Sequence, residues 1–282
     1  HLVGNLRLVL GKVLNLLMNG IRKMTKVSTI TACYNMGKYM RGFLTNLSLQ
    51  THKDLEIVMD HNNPSDTEIK LIEAHNDIHD NIFHIKVDGV DPLGISWNRC
   101  IENASGDYLC IWNVDDLRTA NSIENMAKAL DDNPDVDFVY GDFTIVSRFG
   151  STEGEFVNNI NREHLLKSGM ILGPFFMFRK SVLEKTKLFD EQLVSGNDFD
   201  FALRLAFNSK GMHIPHNSGY YLNEGLGLST RPDSKQALER TVIELRYGLD
   251  VLEPNLIPET KGYDIERIHN DPFKFKAKCL MV

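Results

Sequence analysis

A chain of 282 residues that is 42% hydrophobic and 24% charged can bury a sizeable core, which excludes global disorder and suits one large α/β domain or two small ones. Its formal charge of −7 excludes a surface that is a nucleic-acid footprint throughout, although an acidic protein can still hold an anionic nucleotide through a bridging metal ion. The cysteines Cys33, Cys100, Cys110 and Cys279 follow neither a zinc-ribbon spacing nor a short secreted disulfide framework. They read as buried, reduced thiols, which points to a reducing, cytoplasmic setting.

The elements follow in chain order. Residues 1–23 carry Leu2, Leu6, Val9, Leu10, Val13, Leu14, Leu17 and Ile21 at helical spacing, with Arg7, Lys12, Arg22 and Lys23 as the charges. This amphipathic extension suits packing on its own domain, pairing with another subunit, or lying at a membrane periphery. It is too short in continuous apolar residues to span a bilayer, and its charge order does not fit a signal peptide. From Met24 strands and helices alternate. Val27 to Cys33 is a strand, Lys38 to Leu49 a helix, and Leu55 to Met59 a second strand. Ser65 with Glu68 three residues on forms a capping box opening the next helix. Phe83 to Val87 is a third strand, Ile95 to Asn103 a helix, and Tyr108 to Trp112 a fourth strand. Asn121, with Glu124 three residues on, is expected to cap a helix with a stripe at Ile123, Met126, Ala127 and Leu130, before a fifth strand at Val136 to Tyr140. Further on, the segment from Gly196 precedes a helix containing Phe201 and Leu205, Gly219 to Thr230 reads as a Gly-rich loop near the site, and Ser234 to Leu252 is an amphipathic helix.

Alternation of this kind implies a mostly parallel sheet with helices on both faces and ligands bound beyond the carboxyl ends of the strands. Polar clusters stand at those ends: Tyr34-Asn35, Asp60-His61-Asn62-Asn63, Asp88-Gly89 and Asn113-Val114-Asp115-Asp116. Two adjacent carboxylates repel unless a cation neutralises them, and a hard divalent cation takes one or two carboxylates together with substrate phosphates. Asp115 and Asp116 are therefore the sharpest candidates for a site, against the alternative of a solvated turn. Asp198, at a helix start, could be an N-cap or a general base. Tyr34 could stack on a base and Asp60 could accept hydrogen bonds from one. His75 and His79 read as surface residues. The first strand is not followed by a phosphate-cradling glycine loop, which excludes a dinucleotide-binding or P-loop reading.

Taken in order, VSTITACYN, LEIVMDHNNPSDT (55–67), GISWNRCIENASGDY (94–108), WNVDD (112–116), GPFFMFRKSVLEKTKLFD (173–190) and GNDFDFALRL (196–205) resemble the inverting, GT-A-fold glycosyltransferases of family 2, including spore-coat-polysaccharide-type and other bacterial polysaccharide enzymes. The resemblance covers about residues 26–230. It implies a glycosyltransferase domain over 24–230, flanked by the extension at 1–23 and a helical extension and tail at 231–282. It implies a hexosyl- or N-acetylhexosaminyl-transferase using Mn²⁺ or Mg²⁺. The donor would be a nucleoside-diphosphate sugar, UDP-linked by preference, and the acceptor a glycan, lipid-linked or protein hydroxyl, with no nucleic-acid partner. Ala32, Tyr34, Asp60, Asn98 and Asp115 would line the nucleotide, with Asn98 on the diphosphate side. Asp115 and Asp116 would hold the metal, and Asp198 would be the catalytic base. Three positions depart from the family pattern: Asn113 and His61 stand where acidic residues are common, and Trp97 where Arg is common. A glycosyltransferase-like module without activity is the alternative these departures raise.

Overall fold

The computed structural model describes residues 24–159, 172–225, 227 and 231–265. The extension at 1–23, the end of the tail and Cys279 lie outside the described residues. The elements are β1 (Val27–Tyr34), α1 (Gly37–Ser48), β2 (Leu55–Asn62), α2 (Asp66–His79), β3 (Ile82–Val87), α3 (Leu93–Asn103), β4 (Tyr108–Ile111), β5 (Leu117–Arg118), α4 (Ser122–Asp132), β6 (Phe138–Val146), β7 (Glu155–Val157), β8 (Phe176–Arg179), α5 (Leu183–Thr186), α6 (Asn197–Asn208), β9 (Gly211–Leu222) and α7 (Gln236–Arg246).

One nine-stranded sheet runs β3-β2-β1-β4-β8-β6-β9-β5, with β7 paired to β6. The half from β3 to β4 is parallel, as the βαβ alternation requires. Beyond β4 the sheet becomes mixed: β8 enters antiparallel between β4 and β6, while β6 and β9 run parallel with a register shift at Asp142. That shift is a bulge, which bends and twists the strand pair locally.

Each face of the sheet carries its own apolar layer. On one side α1, α2 and α4 bring Met40, Phe43, Ile72, Ile123 and Met126 against Cys33, Met59 and Cys110. On the other, α3, α6 and α7 bring Trp97, Cys100, Phe201, Leu205 and Ile243, with Tyr247 just past α7, against Ile30, Val58, Leu109 and Ile111. Because successive strand residues point to opposite faces, the β-branched run of β1 feeds both layers. Helix α7, at the start of the segment read as an extension, is thus packed in the same core as the strands.

The capping box at the start of α2 forms, with Glu68 N donating to Ser65 Oγ and Ser65 N donating to Glu68. Three local expectations are corrected. Asn121 does not cap α4 with its side chain; its Oδ1 lies 3.1 Å from His216 Nε2. His75 is buried rather than superficial, because its Nε2 pairs with Asn81 Oδ1 at 3.0 Å. The stretch from Gly219 is strand as far as Leu222, since Gly219 and Tyr220 pair with β5 and Leu222 pairs with Val146. Among the described residues, none of the helices is long and apolar enough to cross a membrane.

Candidate active site

The carboxyl ends of β1 and β2 are in register, Ala32 opposite Asp60 and Tyr34 opposite Asn62. Residues two apart on a strand share a face, so Ala32, Tyr34, Asp60 and Asn62 lie together on the α3 side of the sheet. Tyr34 is half exposed at the rim, and Asn35 after it takes a left-handed φ of 54°, which turns the chain sharply away from the sheet. Asp60 is fully buried beneath this rim. Its Oδ1 accepts from Asn62 Nδ2 at 2.7 Å and its Oδ2 from Arg99 Nη1 at 2.5 Å. Arg99 also reaches Asp91 at 2.6 Å, and Asn62 Oδ1 accepts from the Asp91 amide at 2.6 Å. Arg99, which sequence reasoning did not single out, therefore supplies a guanidinium to this face. Trp97, standing where Arg is common, is instead buried with its ring centroid 4.9 Å from that of Phe189.

The loop after β4 carries the adjacent carboxylates. Asp116 is buried: Oδ1 accepts from the Leu222 amide at 3.1 Å and Oδ2 from Asn113 Nδ2 at 3.3 Å. Its backbone carbonyl accepts from Trp112 Nε1 at 3.1 Å, so the loop is tied to β9 and to the core at once. Asp115 is partly open. Burial and then the Glu224 carboxylate push its carboxyl above the usual range, while Lys38 opposes them. Burial and then Asp115 push Asp116 well above the usual range. Glu224, just past β9, is held by Lys38 Nζ and Tyr39 Oη, each at 2.9 Å, which brings α1 and the end of β9 to the same place. Neither Lys38 nor Glu224 carries a local motif. Carboxylates gathered in this way are the electrostatic setting that a divalent cation can offset.

Asp198 lies in the first turn of α6, past the N-cap residue Gly196. It is not the cap; its Oδ1 accepts from the Phe199 amide at 2.8 Å. The residue is exposed to solvent, although protein crowds around its carboxyl. Desolvation by those surroundings pushes its carboxyl up to about 6, against the pull of the Phe199 amide. A carboxyl at that value exchanges protons near neutrality, as a general base requires.

Two long-range devices fix the start of α6. Glu239 of α7 is fully buried and accepts from the amides of Val194, Ser195 and Gly196 at 2.7–3.0 Å. Gly196 is the N-cap residue of α6 and Val194 and Ser195 lead into it, so one carboxylate pins the turn from which the helix starts. Asn98, expected on the diphosphate side, has its amide taken up elsewhere. Oδ1 accepts from Phe189 N at 2.9 Å, and Nδ2 donates to Phe189 O at 3.1 Å and Glu191 Oε1 at 3.0 Å. This clasp positions the segment leading to α6. Gly94 completes the junction: a Cβ there would lie 2.7 Å from Asn197 Nδ2 and 2.9 Å from Asp190 O. Only a residue without a side chain lets α3 approach α6 so closely.

Comparison with known proteins bears on the family and the fold. Residues 28–187 match the family described as glycosyl transferase family 2. An uncharacterised glycosyltransferase of Methanocaldococcus jannaschii is 25% identical over 64% of this chain and 65% of its own length. Another, from Rickettsia conorii, is 24% identical over 90% of this chain but only 42% of its own length. The chain thus spans about two-fifths to two-thirds of these curated relatives. Among solved structures, S. aureus TarS 1-349 in complex with UDP-GlcNAc superposes with a TM-score of 0.65 at 20% identity, over 82% of this chain and 69% of that one. The mannosyltransferase PcManGT from Pyrobaculum calidifontis, in complex with GDP-Man and Mn²⁺, gives 0.57 at 16% identity over 92% and 70%. These likenesses establish a GT-A fold.

Proposed function

The chain belongs to glycosyl transferase family 2, and on that premise we propose that it transfers a sugar from a nucleoside-diphosphate sugar to an acceptor hydroxyl with inversion, in polysaccharide or glycoconjugate synthesis. The observation that carries this reading is the gathering of Tyr34, Asp60 and Asp115 at neighbouring strand ends, with Asp198 brought to the same side of the sheet by α3 and α6.

The nucleotide's base stacks on the exposed Tyr34 over the small Ala32. Asp60 and Arg99 form the polar floor beside them, reading base or ribose. Asp115 is the metal ligand of choice, and Asp116 positions it by fastening the loop to β9 and Asn113. A divalent cation, Mn²⁺ or Mg²⁺, held there would offset charge developing on the leaving diphosphate. Asp198 accepts the proton of the acceptor hydroxyl as the oxygen attacks the anomeric carbon. Attack from the face opposite the leaving group inverts the configuration. UDP-linked donors are favoured, and the acceptor is a glycan, lipid-linked or protein hydroxyl.

Thermal shift with nucleoside diphosphates tests the donor side. A ligand that binds only the native state at 100 times its Kd adds about 2.7 kcal/mol of stability. UDP with Mn²⁺ is expected to raise the wild-type Tm more than UDP alone. Asp115→Ala is expected to lose the metal-dependent increment and keep its folded baseline. An unchanged increment in Asp115→Ala removes Asp115 from the metal site.

A further inference from the structure

On the opposite face of β1 and β2 from Ala32 and Asp60, the register sets Cys33 against His61. Glu68, from the first turn of α2, closes the group: a Cys33 Sγ, a His61 ring nitrogen and a Glu68 carboxylate oxygen all lie within 4.8 Å of one another. All three residues are buried, at 1%, 0% and 4% exposure. They sit at the upper edge of an apolar layer containing Met40, Met59 and Ile72. A buried polar group without a partner is costly, so such groups are almost always satisfied.

Here they are not. His61 Nε2 and Glu68 Oε1 are buried without a hydrogen bond of ordinary geometry. The closest approach of His61 Nε2 to the Glu68 carboxylate is 3.7 Å, to Oε2, which is beyond a hydrogen bond. Glu68 Oε2 is already engaged by Ser65 N and Oγ, at 3.0 and 2.6 Å, which orients the carboxylate and leaves Oε1 over. The other ring nitrogen of His61, Nδ1, pairs with His84 Nε2 at 3.1 Å. When that nitrogen donates to His84, Nε2 is left as a lone pair directed at the cluster. Ligating imidazoles are oriented by this kind of outer partner.

We propose that Cys33, His61 and Glu68 bind one divalent cation of the zinc class, at a site separate from the carboxylates of the loop after β4. Thiolate, imidazole and carboxylate form a mixed N/S/O set that suits zinc, with water as a fourth ligand, whereas magnesium and manganese take oxygen. On binding, the Cys33 S–H bond is lost to a metal–sulfur bond and the proton leaves to solvent. The cation clamps the ends of β1 and β2 to the start of α2, directly behind the turn that carries Tyr34. Its role is to hold the nucleotide rim rigid. The 3.7 Å between His61 Nε2 and the Glu68 carboxylate already falls within the roughly 3.3–3.8 Å that separates ligands of a tetrahedral zinc site.

Cobalt reports on the site, because a thiolate–cobalt bond has a charge-transfer absorption that oxygen ligands lack. Chelator-treated wild-type protein titrated with Co²⁺ is expected to develop this band with saturation at one ion per chain, and Zn²⁺ is expected to bleach it. Cys33→Ser should abolish the band. Glu68→Gln, which keeps a capping-box residue at that position, should weaken Co²⁺ binding about 10–100-fold. Asp115→Ala should leave the band intact. Absence of the band in wild-type protein, or its survival in Cys33→Ser, overturns the proposal. Loss in Asp115→Ala overturns the separation of the two sites.

Discussion

An Asp198→Asn enzyme is expected to bind nucleoside diphosphate as wild type does and to transfer sugar about 10²–10⁴-fold more slowly, the range a general base contributes. Asparagine keeps the size and can still accept from the Phe199 amide, so the start of α6 should hold its shape. What it removes is the one proton acceptor the mechanism assigns. The same carboxyl sets a pH limb. Asp198 must be ionised to act, and its carboxyl lies at about 6, so kcat/KM should rise with pH and level off above that value. Linkage gives a second signature. The folded state raises this pKa above its ordinary 3.8, so the folded protein holds the proton more tightly than the unfolded chain. The stability this supplies is complete below about pH 4 and is lost as pH rises through about 6. At pH 7 the wild type lacks it and the neutral asparagine does not. Asp198→Asn should therefore melt no lower than wild type at pH 7. Transfer kinetics, nucleotide binding and Tm on the same preparations check all three; a Tm well below wild type would mark the residue as structural.

The second large effect concerns the support of that helix. Arg246 of α7 is fully buried and lies 2.6 Å from Asp190 Oδ2 and 3.4 Å from Asp200 Oδ1. Asp200 is shared with Arg204 at 2.6 Å and with the Tyr247 hydroxyl at 2.7 Å. Removing one partner from a buried ion network leaves carboxylates without compensation, which costs about 3–5 kcal/mol. Arg246→Ala should lower Tm by roughly 10 °C in a domain of this size. It should also lower kcat of the folded fraction, because Asp190 and Asp200 bracket the segment that presents Asp198. Denaturation midpoints measure the first effect and active-site-normalised rates the second. A shift of only a degree or two would show that Arg204 alone compensates Asp200.

The parallel half of the sheet was legible because its signals are local. Alternating β-rich and helical-period runs, a capping box at Ser65 and Glu68, and polar residues at strand ends are written within a few residues of one another. The mixed half was not. The placement of β8 between β4 and β6, and the pairing of β9 with both β6 and β5, join segments far apart in sequence. Glu239 shows the same limit in the site: its partners Val194, Ser195 and Gly196 stand more than forty positions earlier, and no spacing rule links them. Asn98 is expected on the diphosphate side from its place in the family-like segment Gly94 to Tyr108. In the fold its amide serves the Phe189 backbone. His61, a departure from the family's acidic position, faces the side of the sheet away from Asp60, so its chemistry is that of Cys33 and Glu68 rather than of the nucleotide rim. The Glu239 clamp ties the segment after residue 230, which lies beyond the stretch with family-like motifs, to the start of the helix that carries Asp198.

The most direct test of sugar transfer is donor turnover. The purified chain, with Mn²⁺, is incubated with a panel of UDP- and GDP-linked sugars, and release of nucleoside diphosphate is followed beside Asp198→Asn and Asp115→Ala. The expected result is consumption of at least one donor by wild type, UDP-linked before GDP-linked, with both variants slowed at least about 100-fold. Equal turnover in wild type and Asp198→Asn, or a panel left intact by wild-type protein whose Tm no nucleoside diphosphate raises, would contradict it.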